Sequence, residues 1–137
     1  MMLLNQVISF NSECIIVEYT PQSQAWYVDA QGNMPAWIGI ELMAQAIAVH
    51  AGLLKHNENI NPKQGVLLGT RSYVAKTPSF EANVRLYIKS ILVFRDESGL
   101  GAYDCSISND NNEALATATL KVFEPADFQS FLQGAPQ

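Results

Sequence analysis

The stretch Pro35–Leu54, PAWIGIELMAQAIAVHAGLL, decides how the rest of the chain is read. It is long enough for about five helical turns at 3.6 residues per turn. Pro35 suits a first helical position, because the N–H it lacks would have had no intrahelical partner there. The run is apolar almost all the way round, the mark of a helix enclosed by protein. Three polar or titratable side chains interrupt it: Glu41, Gln45 and His50. A lipid-facing helix seldom carries a carboxylate near its middle, and Gly39 and Gly52 also weigh against a membrane span. The pattern predicts a central helix wrapped by a sheet, with no membrane insertion.

Glu41 and Gln45 are four apart and share a face, so both can point at one spot. A carboxylate among Trp37, Ile38, Ile40, Leu42 and Met43 is expected to be poorly solvated. Desolvation disfavours an ionised carboxylate and moves it toward general acid–base use. Gln45 would orient that acid or bind a substrate oxygen. Against this stands a plainer reading, in which Glu41 pairs with a distant arginine or reaches solvent where the helix dipole favours an acid. His50 lies nine residues beyond Glu41, on roughly the opposite face, which suits a core or dimer contact. His56 is expected past the helix in a polar, exposed loop.

The 137 residues make one domain, large enough for a real core. A net charge of −5 argues against nucleic-acid binding, which wants a basic face. Cys14 and Cys105 fit no metal or redox spacing and read as small buried hydrophobes in strands. No ligand cluster or phosphate loop calls for a metal or organic cofactor. The start, MMLLNQVISF, lacks a basic region and a long apolar core, so no secretory signal is expected and the cytoplasm is the expected location.

Strand-like runs cover Leu4–Phe10, Cys14–Tyr19, Gly65–Ala75, Val84–Phe94, Gly101–Ser108 and Ala114–Phe123. Ile15, Val17 and Tyr19 alternate with less buried positions, as do Val84, Leu86 and Ile88. Ala114, Ala116 and Ala118 form a row of small residues that would let a helix approach the sheet. Asn11-Ser12, Asp96–Gly99 and Asn109–Asn112 are turns by composition. In the connection from Thr20 to Met34, Trp26 is expected to pack, while the role of Tyr27 stays open. Pro125 is expected to open a short terminal helix. The order predicted is two strands, one long helix, then an antiparallel meander of four strands, an α+β fold in one domain.

PAWIGIELMAQA resembles the helix motif of hotdog-fold β-hydroxyacyl-ACP dehydratases, Pro-Gly-x-x-x-x-(Glu/Asp)-x-x-x-Gln, with Pro35, Glu41 and Gln45 on its fixed positions. The segment LLGTRSYVAKTPSFEANVRL is similar to that family's following strand and turn, and LATATLKVF to its last strand. The resemblance covers most of the chain and looks closest to the small dehydratase-like proteins of aryl-polyene-type clusters. It implies a dimer, homodimer or heterodimer with another hotdog chain, with two helices back to back and an acyl tunnel at the interface. It also implies a substrate carried on the phosphopantetheine arm of an acidic acyl carrier protein. Arg71 and Lys76 are the candidates to meet that carrier, whereas Arg85 reads as an ordinary solvated strand charge. Pro35, Ala36, Trp37, Gly69 and Arg71 are the candidates for the substrate site.

One departure bears on mechanism. The family's loop histidine, which removes the C2 proton, has no counterpart here; the matching position holds Tyr27, with Asp29 close by. The glycine after the proline is replaced by Ala36, whose backbone N–H would still polarise a thioester carbonyl. The resemblance therefore implies a 3-hydroxyacyl-ACP dehydratase with Glu41 as acid–base group, Gln45 orienting it, and Tyr27, Asp29, Glu41 itself or a partner chain supplying the second proton transfer. Two other readings suit the missing histidine: a thioesterase in which Glu41 activates water, and a subunit that pairs with a histidine-bearing hotdog dehydratase.

Overall fold

Alternating burial along the strands builds the sheet of the computed structural model, which describes residues 3–57 and 66–123. In β2 (Cys14–Tyr19), Ile15, Val17 and Tyr19 point inward and are buried. In β6 (Leu86–Arg95), Leu86, Ile88 and Ser90 do the same. Together with β1 (Gln6–Phe10), β4 (Val66–Ala75), β7 (Leu100–Ser108) and β8 (Ala114–Phe123) they form one six-stranded sheet in the order β1-β2-β6-β7-β8-β4, antiparallel throughout. The expected meander of four strands is corrected here. Only β6, β7 and β8 run consecutively, and β4 crosses to the far edge to pair with β8. Which strand pairs with which is decided by tertiary contacts that a local pattern does not carry.

The helix α1 spans Ile38–Asn57 and packs across β2, β6, β7 and β8. Its Ile38, Leu42, Met43, Ala46 and Ile47 join the inward strand residues in one core cluster. Ala116 and Ala118 are buried beneath it, so small side chains do leave the helix room to approach β8. Each large side chain removed from water here contributes roughly 1.5–3 kcal/mol. Among the described residues no helix is long and apolar enough to cross a membrane.

The helix start differs from the expectation. Pro35 is not the first helical residue; with Met34 it forms the short strand β3 (Met34–Pro35), which pairs with β5 (Ser79–Phe80). This two-residue pairing clamps the chain just before α1, and Met34 and Phe80 fill the space beneath it. At the other end His56 lies in the last helical turn instead of a following loop. The turns fold as their composition implies. Asn11 Oδ1 accepts the N–H groups of Glu13 and Cys14, and Asp96 Oδ1 accepts those of Ser98 and Leu100. The Ser98 hydroxyl, donating to the same oxygen at 2.6 Å, and then these backbone N–H groups hold the Asp96 carboxyl below the usual carboxylate range. Cys105 is buried, as expected, and burial pushes its thiol up to about 11; Cys14 is half-buried, and both are free thiols. The helix expected after Pro125 lies outside the described residues.

Candidate functional site

The start of α1 is held from three sides. The Ala36 N–H donates to the Pro78 carbonyl at 3.0 Å. That commits the very N–H expected to polarise a substrate carbonyl, and the expectation is corrected accordingly. The Ala36 carbonyl accepts from Gly39 N–H at 2.9 Å and from the Tyr73 hydroxyl at 2.5 Å. Tyr73 reaches this carbonyl from β4, where irregular pairing between Arg71 and Val74 and a left-handed Ser72 (φ 56°) re-aim the strand. Burial pushes the Tyr73 hydroxyl above its ordinary pKa, so it stays a neutral donor. Gly39 is required by this contact, because a Cβ there would run into the Tyr73 hydroxyl and sit 3.1 Å from Ile107 Cδ1.

Glu41 sits in the first turn of α1, and its side chain is exposed in the single chain. The apolar enclosure expected around it is not supplied by this chain: Leu42 and Met43 turn inward to the core while Glu41 and Trp37 share the open face. Gln45, one turn on, is buried and donates from Nε2 to Glu41 Oε2 at 2.9 Å. Its Oε1 accepts the backbone N–H of Leu3 at 2.7 Å. A first-turn acid complements the helix dipole without any partner. A buried amide aimed at it is an addition the dipole does not require.

The pre-helix loop gives Tyr27 and Asp29 other partners. Tyr27 is buried; its hydroxyl lies 2.5 Å from that of Tyr19 and accepts the Gln22 N–H at 3.0 Å. Burial and the Tyr27 hydroxyl together raise the pKa of Tyr19, so the Tyr19 hydroxyl keeps its proton. Asp29 Oδ1 accepts the N–H groups of Gln31 and Asn33, and its backbone closes the same turn around Gly32 (φ 79°). Trp26, expected to pack, is 62% exposed and touches Tyr27 edge-on, 5.5 Å between ring centroids. The aromatic pair is thus split: the tyrosine enters the core and the tryptophan faces out.

The profile of the ApeP-like family, described as ApeP dehydratase, matches residues 1–133. The chain belongs to the ApeP-like dehydratase family. Among solved structures, this ApeP-like chain superposes on the dehydratase heterocomplex ApeI:P from Xenorhabdus doucetiae with a TM-score of 0.86 and 27% identity, over 98% of this chain and 90% of that one. A hypothetical thioesterase with coenzyme A from Streptococcus pneumoniae TIGR4 matches at 0.70 and 17% identity, over 87% and 86% of the two chains. The Escherichia coli PaaI protein matches at 0.67 and 18%, over 87% and 78%. The last two likenesses speak for the hotdog fold alone. No curated protein matches the chain by sequence.

Within this ApeP-like frame the remaining candidates fall into place. Trp37 is 63% exposed in the turn just before α1, and Gly69 is exposed on β4. Lys76 is exposed, and its N–H donates to the Leu115 carbonyl at 2.8 Å. The Arg71 backbone pairs with Thr119; its side chain lies outside the described residues. Arg85 is a strand charge, exposed and 3.4 Å from Glu18. His50 is fully buried, with Nε2 2.7 Å from the Asn11 carbonyl and Nδ1 2.9 Å from the Tyr103 hydroxyl. Residue pattern alone does not single out Tyr73 or Leu3. The aromatic of the SYVAK segment was the only signal for Tyr73, and a backbone N–H such as that of Leu3 leaves none.

Proposed function

We propose that this chain is the carboxylate-bearing half of a two-chain dehydratase for 3-hydroxyacyl thioesters carried on an acyl carrier protein. The observation that carries the reading is Glu41: exposed on the open face of α1, and held there by Gln45. In this reading a base removes the C2 proton, and the C2–H electron pair forms the C2=C3 bond as the C3–O bond breaks. Protonated Glu41 gives its proton to the departing oxygen, which leaves as water, and the product is the trans-2-enoyl thioester. Both protons are then re-equilibrated with solvent.

The base comes from the facing subunit. The family's dehydratases carry it as a histidine in the pre-helix loop, and here that position holds Tyr27, whose hydroxyl is engaged by Tyr19 and Gln22. Asp29 is engaged in its own turn. We therefore assign Tyr27 and Asp29 to shaping the loop, and the second proton transfer to a histidine-bearing hotdog partner. A dehydratase heterocomplex as the 27% identical neighbour supports such a pairing. Pro35, Ala36, Trp37 and Gly69 are assigned to the acyl entrance, with the N–H of Trp37 replacing that of Ala36 at the thioester carbonyl. Arg71 and Lys76 are assigned to the acidic carrier.

The test is Glu41→Gln in the reconstituted pair, read by the intact mass of a carrier loaded with a 3-hydroxyacyl chain. The reading expects loss of one water by the unmodified pair and a fall of 10²–10⁴-fold in the variant, the usual contribution of general acid–base catalysis. Unchanged turnover in Glu41→Gln would remove the carboxylate from the mechanism. Loss of the entire acyl group would make the protein a thioesterase.

A further inference from the structure

The amide of Gln45 has two ends, and only one of them suits Glu41. A carboxyl oxygen that bears no proton only accepts hydrogen bonds, so Gln45 supports Glu41 Oε2 only when its NH₂ faces that way, with Oε1 left to carry the acid's proton. We propose that the backbone of Leu3 chooses the end, and that the segment 3–5 is a positioning device for the Glu41 site, acting through Gln45. The inference rests on the dehydratase reading and names a component of that same site.

The Leu3 N–H can only donate, and it meets Gln45 Oε1 at 2.7 Å in a buried contact. That fixes the carbonyl end toward Leu3 and leaves Nε2 for Glu41 Oε2, 2.9 Å away. A flipped amide would set NH₂ against N–H at Leu3 and oxygen against oxygen at Glu41, which costs two hydrogen bonds at once. The donor is itself held in place. Leu3 is 9% exposed and belongs to the core cluster. Two residues later, Asn5 is fastened to the sheet, its N–H donating to the Glu18 carbonyl and its Oδ1 accepting the Thr20 N–H, both at 2.8 Å. β1 pairs with β2 only from Gln6 onward. The Leu3 N–H therefore lies ahead of the ladder and turns inward to the helix. Sheet edge, amide and carboxylate form one line: Asn5 anchors, Leu3 donates, Gln45 relays, Glu41 receives.

The experiment has two readouts. In the first, amide hydrogen exchange of the unmodified protein should show Leu3 protected, and Gln45→Met, which keeps the side-chain length, should release that protection. A Leu3 amide that exchanges freely in the unmodified protein, or stays equally protected in Gln45→Met, would overturn the proposal. In the second, turnover by the reconstituted pair is measured for Leu3→Pro, Gln45→Met and the double variant. Each single change should lower kcat about ten- to a hundredfold, the scale of losing a positioned group, with KM little changed. The double variant should be no worse than the poorer single one, because both remove the same link. Additive losses in kcat would assign Leu3 a separate structural role and overturn the proposal. If Leu3→Pro does not fold, the exchange readout decides alone. If Glu41→Gln retains turnover the dehydratase reading fails, whereas if Glu41→Gln is inactive and Gln45→Met is fully active only this relay fails.

Discussion

Two polar groups interrupt the same apolar helix, and the fold treats them in opposite ways. Glu41 and Gln45 lie at its start, with the carboxylate exposed and a buried amide trained on it. His50 lies nine residues on, fully buried. Its Nε2–H donates to the Asn11 carbonyl, Nδ1 shares a hydrogen bond with the Tyr103 hydroxyl, and the oxygen of that hydroxyl accepts from Arg95 Nη2 at 3.3 Å. A buried polar group with its partners met stabilises a particular packing. An exposed acid that a buried residue is used to orient costs order without adding to the core. The first pattern is structural; the second is the arrangement that the proposed half-site would require.

Exchange of each group should separate the two regions cleanly. The largest effect is expected for Glu41→Gln, with turnover down 10²–10⁴-fold and the thermal midpoint nearly unchanged, measured by intact-mass assay and calorimetry on the same preparation. His50→Leu should do the reverse. It removes the His50 hydrogen bonds from the buried Tyr103 hydroxyl and the Asn11 carbonyl and should cost about 2–4 kcal/mol in denaturant unfolding. Equal stability in His50→Leu would mean that the buried triad is not a structural contact.

A smaller effect sharpens the helix start. Gly39→Ala should destabilise by about 1–3 kcal/mol, as crowding a packed site does, and Tyr73→Phe in the same chain should recover part of that loss by removing the hydroxyl the new methyl meets. No recovery would mean that Ile107, not Tyr73, sets the limit. The smallest effect concerns Tyr19. Its folded pKa is raised above the ordinary 10.0, so its contribution is fully present below pH 10 and is lost as pH rises beyond it, where the unfolded chain releases its proton first. Tyr19→Phe should flatten the fall in stability on the alkaline side.

The split between what the sequence showed and what it hid follows the range of the forces involved. α1 and the six sheet strands were legible because hydrophobic patterning is local: Ile15-Val17-Tyr19 name their buried face on their own, and the apolar run from Pro35 to Leu54 marks an enclosed helix. The Glu41–Gln45 pair was legible for the same reason, since spacing of four sets a shared face. The placement of β4 beside β8 was not, because it is settled by pairing across the whole chain. Pro35 misled for a related reason: its fit to a helix start is real, but a two-residue pairing with Ser79–Phe80 claims it first. Glu41 was read as enclosed because its neighbours in sequence are apolar, yet those neighbours turn inward and leave it open. Trp26 failed through the opposite error, a large apolar residue assumed to seek the core. The Leu3 N–H could not be read at all, since every residue but proline has one.

The account turns on whether this chain is half of a site. The most direct measurement is water loss from a 3-hydroxyacyl-loaded carrier protein, followed by intact mass, with this chain alone and then with a hotdog subunit that carries the loop histidine. The account predicts no dehydration by this chain alone and none by the partner paired with Glu41→Gln, but full dehydration by the unmodified pair. Dehydration at full rate by this chain alone would contradict it, and would return the second proton transfer to a residue of this sequence.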